Sequence, residues 1–405
     1  MLPTPPSWLS RLYPLLFALL PWSFELRAAD KWRLSFPTDL LVAAAALGVA
    51  VWALTHPRLA LGRVAANRPL LAALALLAWS GIAALFSSMP LVSGKYWLAE
   101  TAYLTAFGYG IVLWPSLWGR SFRALALSMA AFAVYALAQH ANFDFRPDQA
   151  ALAPRPFFPE NTLWGACTAV VLLAHAGTLL GKRPSARDLG IGLALLTAWV
   201  SSNSLGAWAS LAVAACWWLF GALSGNKRLY LTLGVCLVTS VAAKPMLRVL
   251  GSDVSVQERL NRWRCAVEMA GQRPWTGFGP GTYAFQYQPF QRAGSMTRIS
   301  SEAPLRVGEQ AILGRGGGAH SEYARALAET GWPGLALWLL TVVAFLAAAG
   351  KASHWSAALA CFFLHAWAND FLHDPRMAAL VWGGLAYCGA KNKEVWPGLG
   401  YSAQS

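Results

Sequence analysis

The chain has 405 residues, 57% of them hydrophobic and 12% charged, with a formal net charge of +14. Soluble domains carry about 25% charged residues, so a water-soluble globular fold of this size is excluded. The positive charge does not point to nucleic acid, because it recurs in short loops between apolar runs rather than on one basic face.

In chain order, apolar runs fall at 10–27, 38–56, 69–87, 97–118, 122–139, 161–180, 188–203, 205–223, 229–249, 331–349, 354–369 and 376–390. Each is close to the length that crosses about 30 Å of hydrocarbon. Helices satisfy their own backbone inside lipid, so the pattern predicts an all-α polytopic membrane protein of about 12 transmembrane helices. Residues 1–405 form one integral membrane domain on this reading. The first run lacks a short apolar core with a small-residue cleavage site and reads as a first span.

Lys and Arg cluster in every second loop: Arg58, Arg63 and Arg68; Arg120 and Arg123; Lys182, Arg183 and Arg187; Lys227 and Arg228; Lys351; Lys391 and Lys393. By the positive-inside rule these loops and both termini are cytoplasmic, including the tail 391–405. The other loops carry less: Arg27, Lys31 and Arg33, then Lys95, then Arg146 with Arg155. Cys167, Cys216, Cys236, Cys361 and Cys388 lie in spans, and Cys265 has no partner outside them. No disulfide framework and no zinc spacing follows.

Residues 250–320 form the one long connection, between spans nine and ten, and lie on the outer side. Long connections in compact folds are usually functional. This one concentrates Arg259, Arg262, Arg264, Arg273, Arg292, Arg298, Arg306 and Arg315, which suits an anionic ligand. Within it, SVQERLNRWRCAVEMAGQRP has helical period, with Val256, Leu260, Trp263, Val267 and Ala270 as an apolar stripe. Glu258 and Arg262, and Arg264 and Glu268, stand at the i,i+4 spacing of surface pairs. Arg259 has no carboxylate three or four positions away, so its charge is a candidate for a group outside the helix. RPWTGFGPGTY follows and reads as a rigid turn.

The loop closes with GGGAHSEYARALAETGWPG, where helix is expected from His320 or Ser321. A helix start favours an anion and lowers the pKa of an imidazole. His320, Tyr323, Ala324, Leu327, Gly331 and Gly334 share one face; Glu322, Arg325 and Glu329 share another and can pair among themselves. Elsewhere, Lys95 sits at an outer span end, where snorkelling is the ordinary role. Glu100 lies early in the fourth span, where an ionisable group is costly. WANDFLHDPRM at 367–377 puts Asn369, Asp370, His373 and Asp374 on a short outer loop.

AHSEYARALAETGWPG resembles the histidine signature of the O-antigen ligase and Wzy-type polymerase superfamily, a histidine heading a helix that ends in E-x-G-x-x-G. ERLNRWRCAVEMAGQRPWTGFGPGTYAFQYQPF is similar to the preceding motif of that family. RPFFPENTLWGA at 155–166 resembles a third, with Phe157 and Phe158 where glycine is common. The resemblance implies a GT-C-like, metal-independent glycosyltransferase with no cofactor. Such enzymes move a glycan from an undecaprenyl-diphosphate carrier to an acceptor hydroxyl at the periplasmic face of the bacterial inner membrane. The acceptor is a glycan, lipid A–core or a protein hydroxyl.

On this resemblance His320 is the general base and Arg259 binds the diphosphate. The family's second arginine, in S-R-[GT]-A, is replaced by Leu205 in SSNSLGAWAS, and Arg155, Arg315 or Lys95 is a candidate to supply the missing charge. Arg262, Tyr323 and Glu329 are candidates for supporting roles. The 367–377 loop either borders the acceptor site or, the reading favoured, is a solvated turn. The competing class is a non-catalytic transporter or flippase for lipid-linked glycans. A central long loop between two six-span halves would favour it, whereas the long loop here is late and outside. Within the enzyme class, protein O-oligosaccharyltransferase shares the motifs, and the absence of a further domain after the last spans favours ligase or polymerase.

Overall fold

The computed structural model describes residues 4–28, 32–180, 184–222, 254–296, 305–307, 310–312, 318–349 and 353–391. The fold is helical, with two small antiparallel hairpins. In chain order α1 is Ser7–Leu19, β1 and β2 are Phe24–Ala28 and Trp32–Phe36, α2 is Thr38–Thr55, α3 Pro57–Ala66 and α4 Arg68–Leu85. Then come α5 (Pro90–Tyr103), α6 (Gly110–Leu113), α7 (Ser116–Ala141), α8 (Asn161–Leu180), α9 (Ala186–Ser201) and α10 (Leu205–Ala222). The last third holds α11 (Val254–Gln272), α12 (Tyr283–Gln286), β3 and β4 (Leu305–Val307, Gln310–Ile312), α13 (Glu322–Ala349), α14 (His354–His365) and α15 (Pro375–Lys391).

Among the described residues five helices are long and apolar enough to cross a membrane: α2, α4, α7, α8 and α13. The shorter Leu205–Gly221 stretch is also apolar. Two expected runs are broken. Residues 10–27 hold the 13-residue α1, a turn at Leu20–Trp22 and the first strand of the hairpin, so they are no single helix. Run 97–118 is interrupted by a π-helical stretch at Leu104–Tyr109 and by the break at Trp114. The expected run 229–249 lies outside the described residues.

The bundle is sewn together by polar side chains as well as apolar ones. Tyr13 Oη donates to the Ala106 carbonyl at 2.6 Å, from α1 to the π-helical stretch. Asn67 caps α4 by accepting from Leu70 N at 3.1 Å and donates to the Ala386 carbonyl of α15 at 2.8 Å. Each satisfies backbone that lipid could not.

The most consequential irregularity is in α13, which packs along α4 and α11. Gly331 has φ +72° and ψ −172°, so the helix kinks there, with Pro333 just beyond. A kink strands backbone groups. Here the turn 274–279 takes them up. Phe278 N donates to Ala328 O at 3.0 Å, Gly279 N to Glu329 O at 2.9 Å, and Trp332 N to Pro274 O at 2.8 Å. Trp79 of α4 donates its indole N–H to Thr330 O at 2.8 Å. The glycine-rich segment read as a plain turn is therefore a backbone clasp on a broken helix. Gly277 and Gly331, both at positive φ, meet the partner backbone so closely that a Cβ on either would collide with it.

Gly331→Ala and Gly277→Ala should each destabilise the protein by at least the roughly 1–3 kcal/mol of a strained left-handed residue. Gly62→Ala is the control, because nothing lies within 4 Å of the site of its added Cβ; a helical glycine of this kind gains up to about 1 kcal/mol as alanine. Thermal unfolding of the three variants in detergent is the measurement.

Candidate functional site

His320 stands just outside α13, whose first residue is Glu322 rather than His320 or Ser321. Ser321 Oγ caps the helix by accepting from Ala324 N at 3.3 Å. His320 itself has φ +48°, a left-handed conformation uncommon for a residue with a side chain. The surrounding structure holds it there. Arg262 Nη1 donates to Gly318 O at 2.9 Å, and Trp263 Nε1 to His320 O at 3.3 Å. The Asp370 carboxylate accepts from the Ala319 N–H and lies so close to Gly318 that a Cβ there would collide with it. Glu322 N donates to Ala366 O at 2.9 Å, and the Glu322 side chain accepts from Leu372 N at 2.6 Å. Tyr323 Oη donates to Phe363 O at 3.1 Å while its ring stacks on Trp367 at 4.4 Å.

These contacts correct the reading of 367–377 as a solvated turn. Asn369, Asp370, Phe371 and Leu372 are buried, and the segment is the surface against which the His320 loop is moulded. It is anchored in turn by Arg376, which sequence reasoning did not single out. Arg376 Nη1 donates to Phe157 O at 2.7 Å, its guanidinium lies 4.3 Å from the Phe158 ring centroid, and it pairs with Asp374 at 3.2 Å. The two phenylalanines that depart from the family pattern thus form the seat of an arginine.

On α11 the expected apolar stripe is only partly buried: Ala270 is buried and Val256 and Trp263 are half-buried. Leu260 and Val267 are 52% and 56% exposed, whereas Glu258, Asn261, Arg262, Cys265, Ala266 and Met269 are buried. The buried face meets α13 and the Tyr283–Tyr287 region: Tyr283 Oη donates to Arg262 O at 2.7 Å, and Arg262 lies 4.9 Å from the Tyr287 ring centroid. The Glu258–Arg262 pair forms at 2.7 Å and is nearly fully buried, not a surface pair. The expected Arg264–Glu268 pair gives way to others. Glu268 pairs with Arg292 at 2.6 Å, and Arg264 donates to Ser295 Oγ at 2.5 Å. Arg259 donates from Nε to Ala368 O at 3.0 Å and from Nη1 to Ser255 Oγ at 2.6 Å, so it joins α11 to the 366–374 segment.

His320 is held neutral at ordinary pH. Burial pushes its pKa down from the usual 6.5 to about 4, and the positive charges of Arg262 and then Arg259 push in the same direction, against Glu258. The helix start was expected to cause this, but burial is the main cause. The Arg259 field also reaches Glu160 of the third motif, as do those of Asp370 and Asp374, so all three motifs converge here. Asp370 is pushed up by burial, with Arg325 opposing. A neutral imidazole beside two guanidiniums can accept a proton and face a developing negative charge.

Of the other expected residues, Glu329 supports the site differently from the expected pairing within its own helix. Arg325 pairs with Glu322 at 2.5 Å. Glu329 instead accepts from Gly281 N at 2.9 Å and Tyr283 N at 3.0 Å, fastening the turn after the glycine clasp. Arg155 is exposed and its carbonyl accepts from Tyr135 Oη at 2.8 Å; no described contact brings its guanidinium to His320. Lys95 is exposed and acts electrostatically on Asp39, beside Asp374 and Arg376. Arg315 lies outside the described residues. Leu205 is 51% exposed, and its neighbour Gly206 packs against His365 and Asn369.

Residues 190–339 match a family described as O-antigen ligase. That stretch of the chain is similar to the O-antigen ligase family. No curated protein matches the chain significantly. The matched stretch takes in α11, its glycine clasp, His320 and the kink of α13, whereas the 366–376 segment and the 155–166 motif that border the site lie outside it.

Glu329→Leu removes the acceptor of two buried amides. Hydrogen exchange at Gly281 and Tyr283 should speed up about tenfold or more, the loss of about one hydrogen bond each. Peptide-level exchange mass spectrometry in lipid nanodiscs reads this directly.

Proposed function

We propose that the chain transfers a glycan from an undecaprenyl-diphosphate carrier to an acceptor hydroxyl at the outer face of a bacterial inner membrane, as an O-antigen ligase or a related polymerase. The observation that supports it is a neutral His320 beside Arg259 and Arg262, on two motifs that lie within the stretch similar to the O-antigen ligase family. His320 accepts the acceptor O–H proton as that oxygen bonds to the anomeric carbon. The bond from that carbon to the carrier phosphate breaks, and its electron pair leaves on the diphosphate. Arg259 faces the charge that develops there. Arg262 positions rather than neutralises, because Glu258 already pairs with it at 2.7 Å and its N–H groups hold the His320 loop.

His320→Ala and Arg259→Ala should each reduce transfer by about 10²–10⁴-fold while the protein is still inserted and folded. Undiminished transfer in either variant removes that residue's role. In the deletion strain, complete core without O chain identifies a ligase, and core bearing a single repeat identifies a polymerase. Normal lipopolysaccharide with an unglycosylated protein identifies an oligosaccharyltransferase.

The depressed pKa fixes the sign of the pH dependence. The base form of His320 is complete well above about 4, so kcat/KM should be flat from about pH 6 to 8 with respect to this group. It should fall tenfold per unit in acid below about 4. A base inflection near the ordinary 6.5 would contradict the buried setting.

A further inference from the structure

Beside the His320 site, a cavity of about 60 Å³ opens between α4, α5, α13 and α15 beneath the glycine clasp, and His320 does not line it. Its polar end holds Glu100, Glu322, Glu329 and Arg325. Two of the carboxylates are already occupied, Glu322 by Leu372 N and Arg325, Glu329 by Gly281 N and Tyr283 N. Glu100 is different. It is half-buried, it lines the cavity, and its side chain takes no hydrogen bond among the described residues.

Two further polar atoms of the lining, Tyr96 Oη and Trp338 Nε1, are buried without a hydrogen-bond partner. Arg325 uses Nη2 on Glu322 and lies 5.4 Å from the Tyr96 ring centroid, which leaves other N–H groups for a ligand. Buried polar groups are normally paired, and each exception points to a missing partner.

The chemistry of that partner is constrained. A phosphate is attracted by Arg325 but repelled by three carboxylates. A cation is attracted by Glu100 but meets Arg325 across the same space. A hydroxyl satisfies both, donating to Glu100 and accepting from Arg325. The rest of the lining includes Trp338 and Trp382, aromatic side chains of the kind that suit the C–H side of a sugar. At roughly 10–15 Å³ per water site, the space takes a few hydroxyl-sized groups and not a whole sugar ring.

We propose that this cavity is a carbohydrate subsite, in which Glu100 and Arg325 bind the hydroxyl edge of one sugar residue of a glycan substrate. It rests on the glycan-transferase reading above and adds a contact remote from the reacting atoms.

The test uses the full chain in lipid nanodiscs with three probes: methyl α-glucopyranoside, methyl N-acetyl-β-glucosaminide and methyl α-rhamnopyranoside. Ligand-observed saturation-transfer NMR should show contact with at least one of them. The contact should persist in His320→Ala and weaken about tenfold in Glu100→Leu, the loss of about one hydrogen bond. Glu100→Gln should fall between, and it decides the matter if the leucine variant does not elute as the wild type. No contact with any probe, or contact unchanged in the Glu100 variants, overturns the subsite. Glycoside contact that depends on Glu100, together with transfer that does not depend on His320 or Arg259, would sink the transferase roles and leave the subsite standing. The reverse pattern removes the subsite alone.

Discussion

The break at Gly331 is the constraint from which the rest of the site follows. A helix interrupted within an apolar bundle must find partners for its stranded backbone. The partners are the backbone of 274–279 and the indole of Trp79. Because these are main-chain bonds at close approach, the two segments can meet in one register only. That register carries α11 with it, since the clasp begins directly after Gln272, and α11 carries Arg259 and Arg262 to the His320 loop. A kink in one helix thereby fixes an imidazole beside two guanidiniums from about 60 residues away in sequence.

Around this junction the carboxylates of α13 act as fasteners. Glu329 holds the turn after the clasp, Glu322 holds the 366–374 segment, and Asp370 returns from that segment to hold Ala319. The His320 loop is thus bounded on both sides by charged groups that accept backbone N–H bonds, the stronger kind of hydrogen bond. Its positive φ is sustained by these surroundings and not by its own preference. The same burial that holds the loop also keeps the imidazole neutral, so rigidity and neutrality have one cause.

The sequence made some of this legible. The long apolar runs gave helices, and the motif residues His320, Arg259 and Arg262 come together. What escaped has particular physical reasons. The stripe on α11 was correctly periodic, but period identifies two faces without saying which one is buried. In an apolar surrounding, Leu260 and Val267 can face outward while Glu258 and Arg262 turn inward as a pair. Glu329 was matched to Arg325 because i,i+4 counting sees one helix, whereas its partners lie 46 and 48 residues away. Arg376 carried no local signal. Its meaning depends on Phe157 and Phe158, more than two hundred residues earlier.

Leu205 raises the question of how a diphosphate could be held with one family arginine missing. Of the replacements suggested by sequence, Arg315 lies outside the described residues, the Arg155 carbonyl accepts from Tyr135, and Lys95 acts on Asp39. Position 205 nevertheless adjoins the same segment that Arg259 contacts, because Gly206 packs on His365 and Asn369 while Arg259 donates to Ala368. The charge lost at 205 and the charge kept at 259 therefore border one wall of one site. Arg262, held by Glu258, is shared between fixing the loop and shaping the field. On the proposed chemistry, and among the described residues, stabilisation of the departing diphosphate then falls chiefly on Arg259. Recognition of the glycan, away from the reacting bond, must carry more of the substrate's binding than it would in a site with two free-standing arginines.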